Sequence, residues 1–403
     1  MFGWIFSGAH RFSVLHHRRF HLASPSCFAT MDTLAPELLH LICAQLNYWE
    51  VPAFRLLNRQ CAAVGLEYLV PTIGIHLHRN SFKVHSFQRL LAISSHPIMS
   101  KTVRELYYDS HILDSPMKDF ATWKAGAEER VKEPNGGRVN GQILTFNPIR
   151  TRQDFVRLYS WYQTIMREQE HILDGMIDYP ILAQAIPNLI NLEKITMNTR
   201  NTIYRTDVYD RIGPWDYALE FPYEQLVPYG VRQLNSLLLG AASSRIELKK
   251  LRAGLLSWKW FKSNAFILNK HRYTRVCKSL TSLHLVLTCG GPGHPSEEGP
   301  EAPECYRYLE QSGKIPQFLA KLSRLESLKL SFDETNIWGG TKYPARLSHL
   351  IGDNPFWPGL KKLELGCFRT SELELMRVLE RHAKTLLHFG LNISVELDAG
   401  GSW

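Results

Sequence analysis

The chain has 403 residues, of which 44% are hydrophobic, 21% charged and 11% aromatic. That composition supplies a buried core and excludes wholesale disorder and collagen-like structure, and no run reaches the roughly 18 to 20 apolar residues of a membrane-spanning helix. A formal charge of +9 points toward acidic partners and says nothing of fold.

Residues 1–31 contain Arg11, Arg18, Arg19 and four histidines, and the first acid is Asp32. Two readings stand: a mitochondrial presequence, or a disordered leader upstream of a protein that starts at Met31. The second is favoured because Met31-Asp32-Thr33-Leu34 opens the first well-patterned element. Seven scattered cysteines with no Cys-x-x-Cys pair argue against a zinc ribbon or a thioredoxin-type site and fit a reducing compartment.

Residues 33–70 read as three short helices. Pro36 suits a first helical turn, and Glu37 complements the positive end of the helix dipole. Leu34, Leu38, Leu41, Ile42 and Leu46 follow helical spacing and form one apolar stripe. A second apolar group holds Val51, Phe54, Leu56 and Leu57, and a third runs from Cys61 to Leu69. A unit of about 40 residues has little core of its own, so it exposes apolar surface for something else to cover.

The run Leu34-Ala35-Pro36-Glu37-Leu38-Leu39-His40-Leu41-Ile42, with Val51 and Phe54-Arg55-Leu56-Leu57-Asn58-Arg59, resembles the F-box motif as it occurs in fungal proteins. The family usually has proline where this chain has Ala35. The match covers about a tenth of the chain.

From about residue 100 a second signal recurs, apolar-x-x-apolar-x-apolar. It begins at Val103, Leu192, Leu248, Leu280, Leu325, Leu360 and Leu386. Each string reads as a short strand that buries alternate residues and needs neighbours on both sides. From Leu192 on, the spacings are 56, 32, 45, 35 and 26 residues, so the array resembles the irregular leucine-rich solenoids found behind fungal F-boxes. Helices are expected over Pro180–Pro187, Val231–Ala242, Glu372–His382 and Gln153–Met176, the last with Phe155, Leu158, Tyr162, Ile165 and Met166 facing a core. Residues 133–141 and 289–305 read as loops.

No Gly-x-Ser-x-Gly, His-Glu-x-x-His or Gly-Lys-Ser/Thr signature occurs, so no catalytic residue, metal site or cofactor is assigned. His76 and His78 share a strand face but lack a third ligand. The densest charge lies between Arg245 and Lys278, where ten basic residues face one acid, Glu247, and Trp258, Trp260, Phe261, Phe266 and Tyr273 are interleaved. Three readings compete: a surface for an acidic or phosphorylated protein segment, a nucleic-acid track with stacking aromatics, or core aromatics beside solvated lysines partly neutralised by Glu297, Glu298, Glu301 and Glu304. Tyr204 to Tyr229, rich in aromatic residues, is a second candidate surface.

The expected architecture is therefore an α+β or α/β solenoid. A basic leader (1–31) and a three-helix F-box (32–72) precede an irregular leucine-rich-repeat-like array of short parallel strands and helices (100–403). The resemblance implies a non-enzymatic substrate receptor of an SCF-type ubiquitin ligase, cytoplasmic or nuclear, that docks on a Skp-family adaptor and through it on cullin and RING proteins. The adaptor-binding candidates are Leu34, Pro36, Leu38, Leu41, Ile42, Val51, Phe54 and Leu56. The substrate-binding candidates are Lys249, Lys250, Arg252, Trp258, Trp260, Trp215 and Tyr217. The alternatives are an interaction scaffold outside any ligase and a basic, aromatic nucleic-acid binder.

Overall fold

The seven apolar strings become seven strands of one sheet. The computed structural model describes residues 34–47, 50–76, 86–109, 119–125, 138–139, 142–143, 151–198, 230–244, 246–289, 302–333, 345–353, 356–391 and 395–397. The chain divides into two compact units, Met1–Gly65 and Leu66–Trp403.

In the first unit, α1 (Pro36–Gln45), α2 (Val51–Arg55) and α3 (Arg59–Leu66) are the three expected helices. Pro36 takes the first helical position and Glu37 the first turn. Asn58 starts α3 by accepting a hydrogen bond from the Cys61 N–H (2.7 Å), the polar cap that Ser, Thr, Asp or Asn provides at a helix start. Gln60 Nε2 donates to the Leu34 carbonyl (3.2 Å), tying α3 to the entry of α1. At Gly65 an added Cβ would sit 2.5 Å from Cγ of Arg55, so any side chain there would have to displace that of Arg55.

In the second unit, β1 (Thr72–His76), β2 (Glu105–Asp109), β5 (Lys194–Asn198), β6 (Lys250–Ser257), β7 (Ser282–Thr288), β8 (Ser327–Phe332), β9 (Lys362–Gly366) and β11 (His388–Leu391) lie side by side in chain order. Every pairing among these eight is parallel, and the sheet is not closed. Two small pairs complete the described strands: β3 (Arg138–Val139) with β4 (Gln142–Ile143), antiparallel, and β10 (Phe368–Thr370) with β12 (Val395–Leu397), parallel. The sheet thus starts at Thr72, earlier than the expected 100, and β3 falls inside a segment read as a loop.

Register explains why the strings recur. Leu106, Ile195, Leu251, Leu283, Leu328, Leu363 and Phe389 stand in one row across the sheet. Two residues on, Tyr108, Met197, Ala253, Leu285, Leu330, Leu365 and Leu391 form a second row. Because strand side chains alternate, both rows share the inner face; all but the last strand's residues are buried, and burial of each leucine, isoleucine or methionine among them contributes roughly 1.5–3 kcal/mol. In-order parallel pairing makes the two rows continuous. Between Ala253 and Leu256 a bulge carries Leu255 at φ 50° and shifts the pairing of β6 with β7.

Helices cover the inner face: α4 (Ser86–Ser95), α5 (Met99–Thr102), α6 (Arg152–Asp174), α7 (Asp178–Ala185), α8 (Val231–Ala242), α9 (Asn264–Cys277), α10 (Ala302–Ser312), α11 (Lys314–Leu319), α12 (Leu347–Ile351) and α13 (Glu372–His382). They stack in sequence, α4 on α7, α7 on α8 and α8 on α9, then α11 on α12 and α12 on α13. Phe155, Tyr162 and Met166 of α6 are buried as expected, whereas the side chains of Leu158 and Ile165 lie outside the described residues. The start of α13 carries a reciprocal cap: the Glu374 N–H donates to Ser371 Oγ (3.2 Å), and the Ser371 N–H donates to Glu374 Oε2 (3.1 Å). Helix α10 begins at Ala302, inside the second expected loop; residues 290–301 lie outside the described residues.

Candidate functional site

Two surfaces carry the sequence-predicted residues. The first is the outside of the three-helix unit. Leu39 and Cys43 of α1, four residues apart, face inward with Val51, Phe54, Cys61 and Val64. Leu38 and Leu41, one turn apart, stay exposed at 47% and 64%, and Leu56 at the end of α2 is 87% exposed. Pro36 is exposed, while Leu34 and Ile42 are half-buried. Two adaptor-binding candidates are corrected: Val51 (1% exposed) and Phe54 (5%) are consumed in the interior, because a unit this small needs every inward apolar position. Leu57, 57% exposed, joins the outer group although it was not a candidate; its spacing from Val51 and Phe54 would place it inward, but α2 ends at Arg55 and Leu57 lies beyond it.

The second surface was expected on the basic, aromatic stretch, and the fold takes that stretch apart. Trp258 (0% exposed) and Trp260 (1%) turn inward on a short 3-10 turn directly after β6, so neither is a surface anchor. Phe261, Phe266 and Tyr273 are buried with them. The lysines are dispersed instead: Lys262 pairs with Glu304 (2.7 Å), Lys278 with Glu247 (2.7 Å) and Lys249 with Glu193 (2.6 Å). Lys259 and Lys262 stand over the Trp258 ring at 6.0 and 5.8 Å from its centroid. Only Lys250 and Arg252 of the candidates project from the outer face of the sheet, both exposed. Trp215 and Tyr217 lie outside the described residues, as does the rest of 199–229.

That outer face has its own pattern. Its first row reads Glu105, Lys194, Lys250, Ser282, Ser327, Lys362 and His388, and its next reads Tyr107, Thr196, Arg252, His284, Lys329, Glu364 and Gly390. Lys194 reaches Glu105 (2.9 Å), while Lys362 (2.6 Å) and Lys329 (3.2 Å) share Glu364. The hydrogen bond from Lys362, then that from Lys329, holds the Glu364 carboxyl below the usual range. His284 lies between Arg252 and Lys329, and its Nε2 is shut off from solvent with no hydrogen-bond partner. Burial first, then the charges of Arg252 and Lys329, push its pKa down to about 4.

The histidine has a measurable consequence. A folded-state pKa below the unfolded value of about 6.5 means that the unfolded chain binds the proton more tightly, so stability falls as pH drops from about 6.5 toward 4. The contribution is about 2–3 kcal/mol over that interval. Urea unfolding at pH 7 and pH 4 is expected to show a smaller acid loss in His284→Gln than in the wild-type chain. Equal losses in the two proteins would rule the effect out.

Among the described residues, no group of three His, Cys, Asp or Glu side chains could hold a metal ion, and no helix is long and apolar enough to cross a membrane. The six described cysteines are buried, and burial pushes the Cys277 thiol up to about 12, far from nucleophilic readiness. His76 stands on β1, and His78 lies outside the described residues. Neither a scan against protein-family models nor a search of curated proteins finds a match to this chain.

Proposed function

We propose that the chain is a non-enzymatic recognition subunit of an SCF-type ubiquitin ligase, with the three-helix unit docking on a Skp-family adaptor and the strand-and-helix array presenting a protein substrate. The observation that carries this reading is the outward set of Leu38, Leu41, Leu56 and Leu57 on a unit whose interior holds only a handful of side chains. Four large leucines left exposed on one small helical unit favour a protein interface there. The parallel sheet with strands in chain order supports a leucine-rich-repeat-like solenoid, an architecture that offers one long outer face to a ligand. Catalysis in such an assembly is positioning: a substrate lysine held beside a charged conjugating enzyme reacts at high effective concentration.

Burial of Trp258, Trp260, Phe261, Phe266 and Tyr273 withdraws the stacking surface on which the nucleic-acid alternative rested.

The test is Leu38→Asp combined with Leu41→Asp. Both side chains are exposed in the chain, so folding is spared, while a carboxylate forced into an apolar interface costs several kcal/mol. Capture of a purified Skp-family adaptor is expected to fall at least a hundredfold, with the circular dichroism spectrum unchanged. Wild-type capture by the double variant would overturn the adaptor assignment. Absence of capture by the wild-type chain itself would favour a scaffold outside any ligase.

A further inference from the structure

Five cations, Lys194, Lys250, Arg252, Lys329 and Lys362, project from the outer rows of β5 to β9, and the carboxylates Glu105 and Glu364 are within their reach. The distribution of the pairs is uneven. Glu105 takes Lys194, and Glu364 takes Lys329 and Lys362. Among the described residues, Lys250 and Arg252 meet no carboxylate, although both are exposed. Beside Arg252, the Nε2 of His284 lacks any partner. Ser282 and Ser327 occupy the neighbouring first-row positions, so no bulky side chain rises next to Lys250 on that side.

We propose that this face docks an extended acidic segment of a partner protein, with alternate carboxylates seated on Lys250 and Arg252. The two cations are two residues apart on one strand, a separation of roughly 6.6 Å, and alternate side chains of an extended peptide repeat at the same distance. A Glu-x-Glu segment lying along β6 therefore places one carboxylate on each cation without bending either side chain. A single phosphate would have to draw both cations to one point, at a cost in side-chain freedom. Nucleic acid is disfavoured because Tyr107, the aromatic ring in these rows, is only 4% exposed and offers no stacking face.

This inference rests on the recognition role proposed above, and its assay contains no adaptor, so its failure is distinct from a failure of adaptor capture. The probe is a fluorescein-labelled peptide of alternating glutamate and serine, titrated with the full chain and read by fluorescence anisotropy. Binding is expected, weakening as salt rises. Lys250→Glu with Arg252→Glu is expected to lower affinity at least tenfold. Glu364→Gln, which releases Lys329 and Lys362, is expected to raise it. Lys270→Glu with Arg272→Glu, the same charge change on the exposed side of α9, is expected to alter affinity by less than twofold. The proposal is overturned if the peptide does not bind or if the two charge reversals weaken it equally. Tighter binding of a singly phosphorylated serine peptide, or of a single-stranded oligonucleotide, overturns it as well.

Discussion

Replacing Arg232 with methionine is expected to cost about 3–5 kcal/mol at pH 7, the range for stripping one partner from a buried ion pair. Asp178, at the start of α7, is fully buried. Its carboxylate accepts from the Arg232 guanidinium, from Tyr108 Oη (3.2 Å) and from the Tyr179 N–H (3.0 Å). Arg232 also donates to the carbonyls of Leu173 (2.9 Å) and Ile172 (3.2 Å), so one guanidinium joins α6, α7 and α8 above β2. Burial pushes the Asp178 carboxyl up, and Arg232 pulls it back. Without Arg232 the folded chain must hold an uncompensated charge or take up a proton. Its stability then rises as pH falls, because the folded state binds that proton more tightly than the unfolded state. Urea unfolding should therefore show the deficit of Arg232→Met narrowing between pH 7 and pH 5. Arg232→Met combined with Asp178→Leu should recover part of the loss, since it removes the unpaired carboxylate but leaves the Tyr108 hydroxyl without its acceptor. A single variant that loses less than 1 kcal/mol, with no pH dependence, would show that the pair is not what joins these helices.

The strand array was legible because the same constraint acts on every strand. In-register parallel pairing places the same two positions of each strand in a buried row, and a row repeated eight times leaves a repeated string even when the spacing from one string to the next varies from 26 to 89 residues. The strand that escaped, β1, carries the same string as Val70-x-x-Ile73-x-Ile75, but Pro71 inside it reads as the end of a helical segment. The small unit was less legible. Its helix α1 is apolar on both sides, so the stripe through Leu34, Leu38 and Leu41 looks like a core stripe, whereas Leu39 and Cys43 are the buried pair. Charge proved the poorest guide. Adjacent residues Lys249 and Lys250 part at the strand's first position, one paired to Glu193 and the other on the open face, so a cluster along the chain does not survive as a cluster in space. The buried pair of Asp178 and Arg232 gave no sequence signal at all, since 54 residues separate its members.

Trp260→Ala separates the two meanings that an aromatic in a basic stretch can have. As a surface anchor, Trp260 could be truncated with little change in stability and a large loss of ligand. As a core residue it cannot. Its ring lies 4.7 Å from those of Phe261 and Phe266, stacks on Tyr273 at 6.0 Å and meets Phe318 edge-on at 6.0 Å. Its Nε1–H donates to Asn235 Oδ1 (2.8 Å), which also accepts from the Tyr273 hydroxyl (3.0 Å). The residue thereby joins the end of β6 to α8, α9 and α11. Truncation is expected to cost about 3–5 kcal/mol, from lost burial and from a cavity that the four surrounding rings, packed at fixed angles, cannot collapse to fill. Trp260→Phe keeps much of the volume and should cost less, because Asn235 retains its bond from Tyr273. The midpoint of urea unfolding reads both variants. A Trp260→Ala midpoint equal to the wild-type value would return the ring to the surface, and with it the reading of the stretch as a basic, aromatic binding track.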